Sequence, residues 1–157
     1  MWQEGIEMTQ SEPPGGSTWH KSALLTTRII WLALVMGQVA FLLVLVFAIL
    51  PNKRDVHPLP ILTDVAFIFA AGAIPCGFIA RAMIFRLRGA AGRMAPAVYF
   101  MGNMIFWACC EGVTLFALVV AMINGKLWPT IIVVAIALAL FALTFPMAGK
   151  ISDASEL

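Results

Sequence analysis

The sequence predicts an all-α integral membrane protein, a four-helix bundle with spans at about 29–50, 62–85, 97–123 and 128–146. Three observations lead there. Of the 157 residues, 62% are hydrophobic and only 11% charged, too few charges for a water-facing surface of ordinary density. Residues 29–52 and 127–149 hold no charge, and each stretch is long enough for the roughly 20 apolar residues that cross a bilayer. Finally, the net charge of +2 is too small to hold a nucleic acid, so the expected surroundings are the lipid bilayer and no nucleic acid.

Residues 1–27 carry Glu4, Glu7, Glu12 and the run Pro13-Pro14-Gly15-Gly16, with no apolar stretch to serve as the core of a signal peptide. A flexible cytoplasmic tail is expected there, ahead of a transmembrane domain over 28–150 and a short cytoplasmic tail over 151–157. From Ile29 to Leu50 the chain is apolar all round except Gln38, and Pro51-Asn52 ends the run. The second span, Leu62 to Phe85, is interrupted by Asp64 near one end and Arg81 near the other. Pro96 stands where a first helical turn tolerates it, and Asn124-Gly125 supplies a stop, which bounds the third span. Trp128 and Pro129 open the last run, which Pro146 and Gly149 close. Trp128 suits the membrane interface.

Lysine and arginine set the orientation. With the N-terminus in the cytoplasm, that side collects Lys21, Arg28, Arg81, Arg86, Arg88, Arg93 and Lys150, leaving Lys53, Arg54 and Lys126 outside. Seven against three follows the positive-inside tendency, so both termini are expected in the cytoplasm of a multi-pass protein of the bacterial inner membrane. Arg81, Arg86, Arg88 and Arg93 serve as topology determinants or as a contact for anionic lipid.

Helical arithmetic at about 100° per residue places Ala66, Ala70, Ala73, Gly77 and Ala80 within an arc of about 80° on the second helix. In lipid, such a stripe lets another backbone approach closely enough for dispersion contacts. On the third helix, Asn103, Trp107, Glu111 and Thr114 share a similar arc. Glu111 is the most informative of them. An ionisable side chain near the bilayer centre costs on the order of 2.5–3.5 kcal/mol, so it must face protein or water. Helical rise puts Arg81 about 7 Å deep and Glu111 about 22 Å, too far apart for a lateral pair, whereas Gln38, about 15 Å below Arg28, is closer in depth to Glu111. Arg81 is expected to snorkel to the headgroups or meet Asn103. With only Thr130 and Thr144 as polar residues, the fourth helix is expected to be the most lipid-exposed.

No metal site and no cofactor are expected. His20 and His57 fall on opposite sides of the membrane, adjacent Cys109 and Cys110 point to different helix faces, and buried cysteines such as Cys76 commonly serve as small apolar residues. Nor is an enzyme expected: no water-facing segment offers a nucleophile with a base or a phosphate-cradling loop.

The stretch from Ala70 to Leu127 resembles the helical hairpin of the rotary ATP synthase c subunit, the proteolipid. The resemblance lies in a small-residue helix, an arginine-containing turn, and a helix reading Cys110-Glu111-Gly112-Val113-Thr114-Leu115-Phe116-Ala117-Leu118-Val119-Val120-Ala121. It covers a little over a third of the chain, whose first hairpin helix carries mostly alanine where the family carries glycine. The resemblance implies an ion-binding carboxylate at Glu111. Two functions are therefore expected in competition. One is a non-enzymatic accessory or interaction subunit, bound to other membrane subunits or to itself as a homo-oligomer. The other is a proton- or cation-translocating proteolipid-like or small carrier protein, with Glu111 as the ion site and Asn103, Thr114 and Gln38 supporting it.

Overall fold

The computed structural model describes residues 16–52, 58–88 and 96–146. They form four helices and the turns beside them, with no strand among them: α1 (Gly16–Val44), α2 (Pro60–Arg88), α3 (Pro96–Asn124) and α4 (Ile131–Leu143). Three stretches, Leu24–Asn52, Pro60–Leu87 and Ala97–Asn124, are long and apolar enough to cross a membrane.

The first helix extends back through residues 16–27, into the stretch expected as tail. Its sequence allows this, because no glycine or proline interrupts the chain between Gly16 and Gly37. At its far end α1 widens into a π turn at Leu45–Ile49 and tightens into a 3₁₀ turn at Leu50–Asn52. Pro51 explains the change: its ring displaces the carbonyl four residues back, and it has no N–H to donate. The Asn52 side chain then donates Nδ2 to the Ala48 carbonyl at 2.8 Å, satisfying an acceptor that the disturbed ladder exposes.

Both α2 and α3 open on a proline, where the missing N–H removes no helical bond. The helix α2 continues through Pro75. The stop read at Asn124-Gly125 is an αL cap: Gly125 has φ 63°, and the Lys126 N–H reaches back to the Ala121 carbonyl at 3.3 Å.

The fourth helix corrects an expectation. It covers 13 residues, about 20 Å of rise, where a span of 128–146 is predicted. The apolar run is longer than the helix because its ends are turns. Pro129 and Thr130 lie in the entry turn, while Pro146 disfavours helical backbone at Phe145 before it.

The third helix is the hub. Of its membrane-length stretch 50% is buried, against 11% for the corresponding stretches of α1 and α2. Helices α2 and α3 run antiparallel, and three ring pairs mark their register: Phe85 stacks on Tyr99, Phe78 meets Phe106 edge-on at 4.8 Å, and Phe69 meets Phe116 at 5.5 Å. On other sides of α3 lie α1 and α4, joined in two apolar clusters. One gathers Leu45, Val113, Ala117, Leu118, Ala121, Val133 and Val134. The other gathers Phe106, Trp107, Cys110 and Phe141, with Trp31, Leu34 and Val35 against it. Because Val133, Val134, Ala137 and Phe141 are all buried, α4 is not the lipid-facing helix that its lack of polar residues suggests. Polarity was a poor guide here, since an apolar side chain suits a helix interface as well as it suits lipid.

Candidate functional site

The polar side chains that matter lie on the inward faces of α1 and α3, at three levels. At the level where α1 begins its membrane stretch, indole and guanidinium donors fasten the end of α4. Trp31 donates Nε1 to the Phe141 carbonyl at 3.0 Å, and Arg28 donates Nε to the Pro146 carbonyl at 3.4 Å. Trp107 donates Nε1 to Thr144 Oγ1 at 3.1 Å, and that hydroxyl in turn donates to the Leu140 carbonyl at 2.8 Å. The Leu140 and Phe141 carbonyls also accept from the Thr144 backbone N–H at 3.1 and 3.3 Å, so the side chains add second donors there, while Arg28 reaches the Pro146 carbonyl beyond the helix. The Arg28 guanidinium also lies 5.7 Å from the centre of the Phe145 ring, while Trp31 meets that ring edge-on at 5.0 Å.

At the opposite end Asn124 joins α3 to the start of α2. Its Oδ1 accepts from the Leu59 N–H at 2.8 Å, and its Nδ2 donates to Thr63 Oγ1 at 3.0 Å. The sequence identifies Asn124 only as a stop signal and gives no sign of this second use. Trp31 and Thr144 were likewise missed as polar ties, because each bond depends on a neighbour more than a hundred residues, or 37 residues, away.

The middle level holds Gln38 and Thr114. Gln38 is 1% exposed, and both of its amide atoms lack a hydrogen-bond partner. Thr114 is fully buried and donates Oγ1 to the Cys110 carbonyl of its own helix at 2.9 Å. Asn103, also fully buried, donates Nδ2 to the Tyr99 carbonyl at 2.7 Å and leaves Oδ1 unpartnered. Asn103 stands eleven residues from Thr114 on one helix, roughly 16 Å along the axis, so the structure does not bring it to the same level.

Glu111 occupies the margin of the inward face. Its neighbours on the arc, Trp107, Cys110 and Thr114, are buried completely, whereas Glu111 is partly exposed. Beside it Ala108 and Gly112 are exposed, and a Cβ at Gly112 would meet nothing within 4 Å. The carboxylate therefore sits where an inward face turns into an outward one.

The small residues of α2 lie along α3. Ala66 and Ala70 are buried, as is Gly77, while Ala73 and Ala80 are half-buried. A Cβ at Gly77 would stand 3.0 Å from Cys109 Cβ and 3.2 Å from its sulfur. Gly102 makes the reciprocal approach from α3, where an added Cβ would collide with the Phe85 ring. Arg81 is half-buried, with its guanidinium 5.3 Å from the centre of the Phe85 ring and 5.7 Å from that of Phe106. Ring faces thus replace the Asn103 contact considered from the sequence. Arg86 is exposed, Arg88 ends α2, and Arg93 lies outside the described residues. The three cysteines are free, and no group of three His, Cys, Asp or Glu residues able to hold a metal occurs among the described residues.

No family model, curated protein or solved structure matches the chain, so the proteolipid resemblance stands on residues 70–127 alone.

Proposed function

We propose that this chain is a four-span integral membrane protein that acts as a non-enzymatic subunit of a membrane assembly and meets its partner at the Glu111 face of α3. The observation that carries the proposal is the partial exposure of Glu111 on the most buried helix, fifteen residues from its start at Pro96 and thirteen from its end at Asn124. Lipid does not solvate a carboxyl group at that depth, and the cost of a few kcal/mol favours coverage by a protein surface that offers a donor or a cation. Ala108 and Gly112 leave room beside it for a close helix.

Four crossings are supported by the match between α1 and α4. Arg28 meets Pro146 at one end, while Leu45, Ile49 and Leu50 share a cluster with Leu127 and Ile131 at the other. The turns that flank α4 therefore extend its reach along nearly the whole membrane stretch of α1. With four crossings, the lysine and arginine asymmetry puts both termini in the cytoplasm.

A photo-crosslinking side chain at Gly112, in native membranes, tests the contact. A discrete protein adduct at Gly112, absent for the same group at exposed Ile68 of α2 and lost in Glu111→Leu, is the expected result. Equal adducts at both positions, or lipid adducts alone, would contradict it.

A second reading is favoured by the buried Gln38 and Thr114. In it the chain is a proton- or cation-translocating carrier of proteolipid type, with Glu111 as the exchanging carboxylate. Rapid, pH-dependent labelling of Glu111 by a carbodiimide that attacks protonated membrane carboxyls would favour this reading over a static contact.

A further inference from the structure

Two apolar clusters follow one another along α3, and on α1 Gln38 lies where one gives way to the other. On α1, Leu34 and Val35 belong to one cluster, Phe41, Leu42 and Leu45 belong to the other, and Gln38 falls between. On α3 the second cluster begins at Val113, three residues after Cys110 of the first, and Thr114 follows it directly. On α4, fully buried Ala137 stands between Val134 and Leu138, which both pack in the second cluster, four residues before Phe141 of the first. Gln38 follows Trp31, and Thr114 follows Trp107, by about 10 Å of helical rise; because both indoles are tied to the same end of α4, Gln38 and Thr114 stand at nearly one level.

Glutamine is costly here. Both amide atoms are unpartnered at 1% exposure, and each gave up its hydrogen bonds to water without a replacement. The chemistry of the amide restricts what relieves that cost. Oε1 needs a donor and Nε2 needs an acceptor, and the two lie side by side on one planar group. A bare cation serves Oε1 but repels the N–H. An apolar ligand serves neither. Water serves both, accepting from Nε2 while donating one hydrogen to Oε1. Its second hydrogen also has a destination: Thr114 Oγ1 spends its own hydrogen on the Cys110 carbonyl, so its lone pairs remain as acceptors.

We propose that Gln38 and Thr114 form a buried hydration site in the middle of the bundle, holding a water molecule that bridges α1 to α3 near the place where the two apolar clusters meet. Three hydrogen bonds to such a water are the usual number for an internal site. The site is independent of the Glu111 contact, because Gln38 and Thr114 are closed to a partner while Glu111 is not. It also gives α1 a polar link to α3 at the level where apolar packing alone would not fix its rotation or height.

The test is water-to-protein magnetisation transfer by NMR, on the full chain in lipid nanodiscs. A cross-peak from water to the Gln38 side-chain amide is expected, with none to the methyls of Leu34 or Leu45. Thr114→Val, which keeps the shape and removes the acceptor, is expected to reduce the Gln38 cross-peak several-fold, and Thr114→Ser to restore it. An absent cross-peak in the wild-type protein would overturn the site, and this measurement needs no variant to fold. A saturable rise in melting temperature with sodium or lithium over choline, accompanied by loss of the water signal, would also overturn it by assigning the place to a cation. A cross-peak unchanged by Thr114→Val would overturn the bridge.

Discussion

At the residue scale Glu111 stands out, because its chemistry and its surroundings disagree. Trp107, Cys110 and Thr114 on its arc are buried, yet Glu111 is partly exposed, beside exposed Ala108 and Gly112. Glu111→Gln keeps length and hydrogen bonding while removing charge. A contact role therefore predicts that this variant still assembles, with affinity within a few-fold of wild type. Glu111→Leu is expected to weaken assembly by at least about tenfold, the equivalent of about 1.4 kcal/mol. Quantitative co-purification of the crosslinked partner checks both. A Gln variant that assembles normally but loses proton- or cation-coupled activity would transfer the case to the carrier reading.

The ties at the end of α4 make a second residue-scale prediction. Removing the Thr144 hydroxyl leaves the buried Trp107 N–H without its partner, so Thr144→Val should lower stability by about 1 kcal/mol. Thermal unfolding in mild detergent measures this. Trp107 is legible in the sequence as part of an arc with Asn103 and Thr114, and all three are buried. The partner of its indole is not legible, since nothing local marks Thr144 as an acceptor.

At the element scale, periodicity and punctuation locate the helices well where an apolar run ends in Pro or Asn-Gly. The prolines at 60 and 96 and the Gly125 turn bound α2 and α3 within a few residues of the predicted spans. They fail at α4, because an uncharged run can contain turns, and they fail to place α4 within the bundle. The consequence for substitution is direct. Gly77→Leu should destabilise by about 1–3 kcal/mol through the Cys109 contact, and Ala137→Leu, at a fully buried position, by a similar amount. Gly72→Leu, with open space around it, should be neutral or slightly stabilising. The expectation that the fourth helix is the most lipid-exposed would instead make Ala137 a tolerant site. Equal melting temperatures for Gly72→Leu and Gly77→Leu would remove the close approach of α2 to α3.

For the whole molecule, α3 is an axle around which the other helices are arranged, and the arrangement explains several features together. The small residues of α2 allow a close hairpin, the aromatic pairs hold its register, and the polar ties at both ends satisfy groups that lipid leaves unsatisfied. The apolar character and the helix count are legible from composition and charge spacing. The central position of α3 is less so, because lipid-facing and helix-facing surfaces are both apolar.

The four crossings proposed for this chain would put Glu111 on a helix flanked on both sides by spans, with both termini in the cytoplasm. The most direct measurement is the location of two reporters in intact cells, one in the Arg86 to Arg93 connection and one after Leu157. Both are expected on the cytoplasmic side. Reporters on opposite sides would show that α4 turns back without crossing, and would contradict the four-span subunit proposed for this protein.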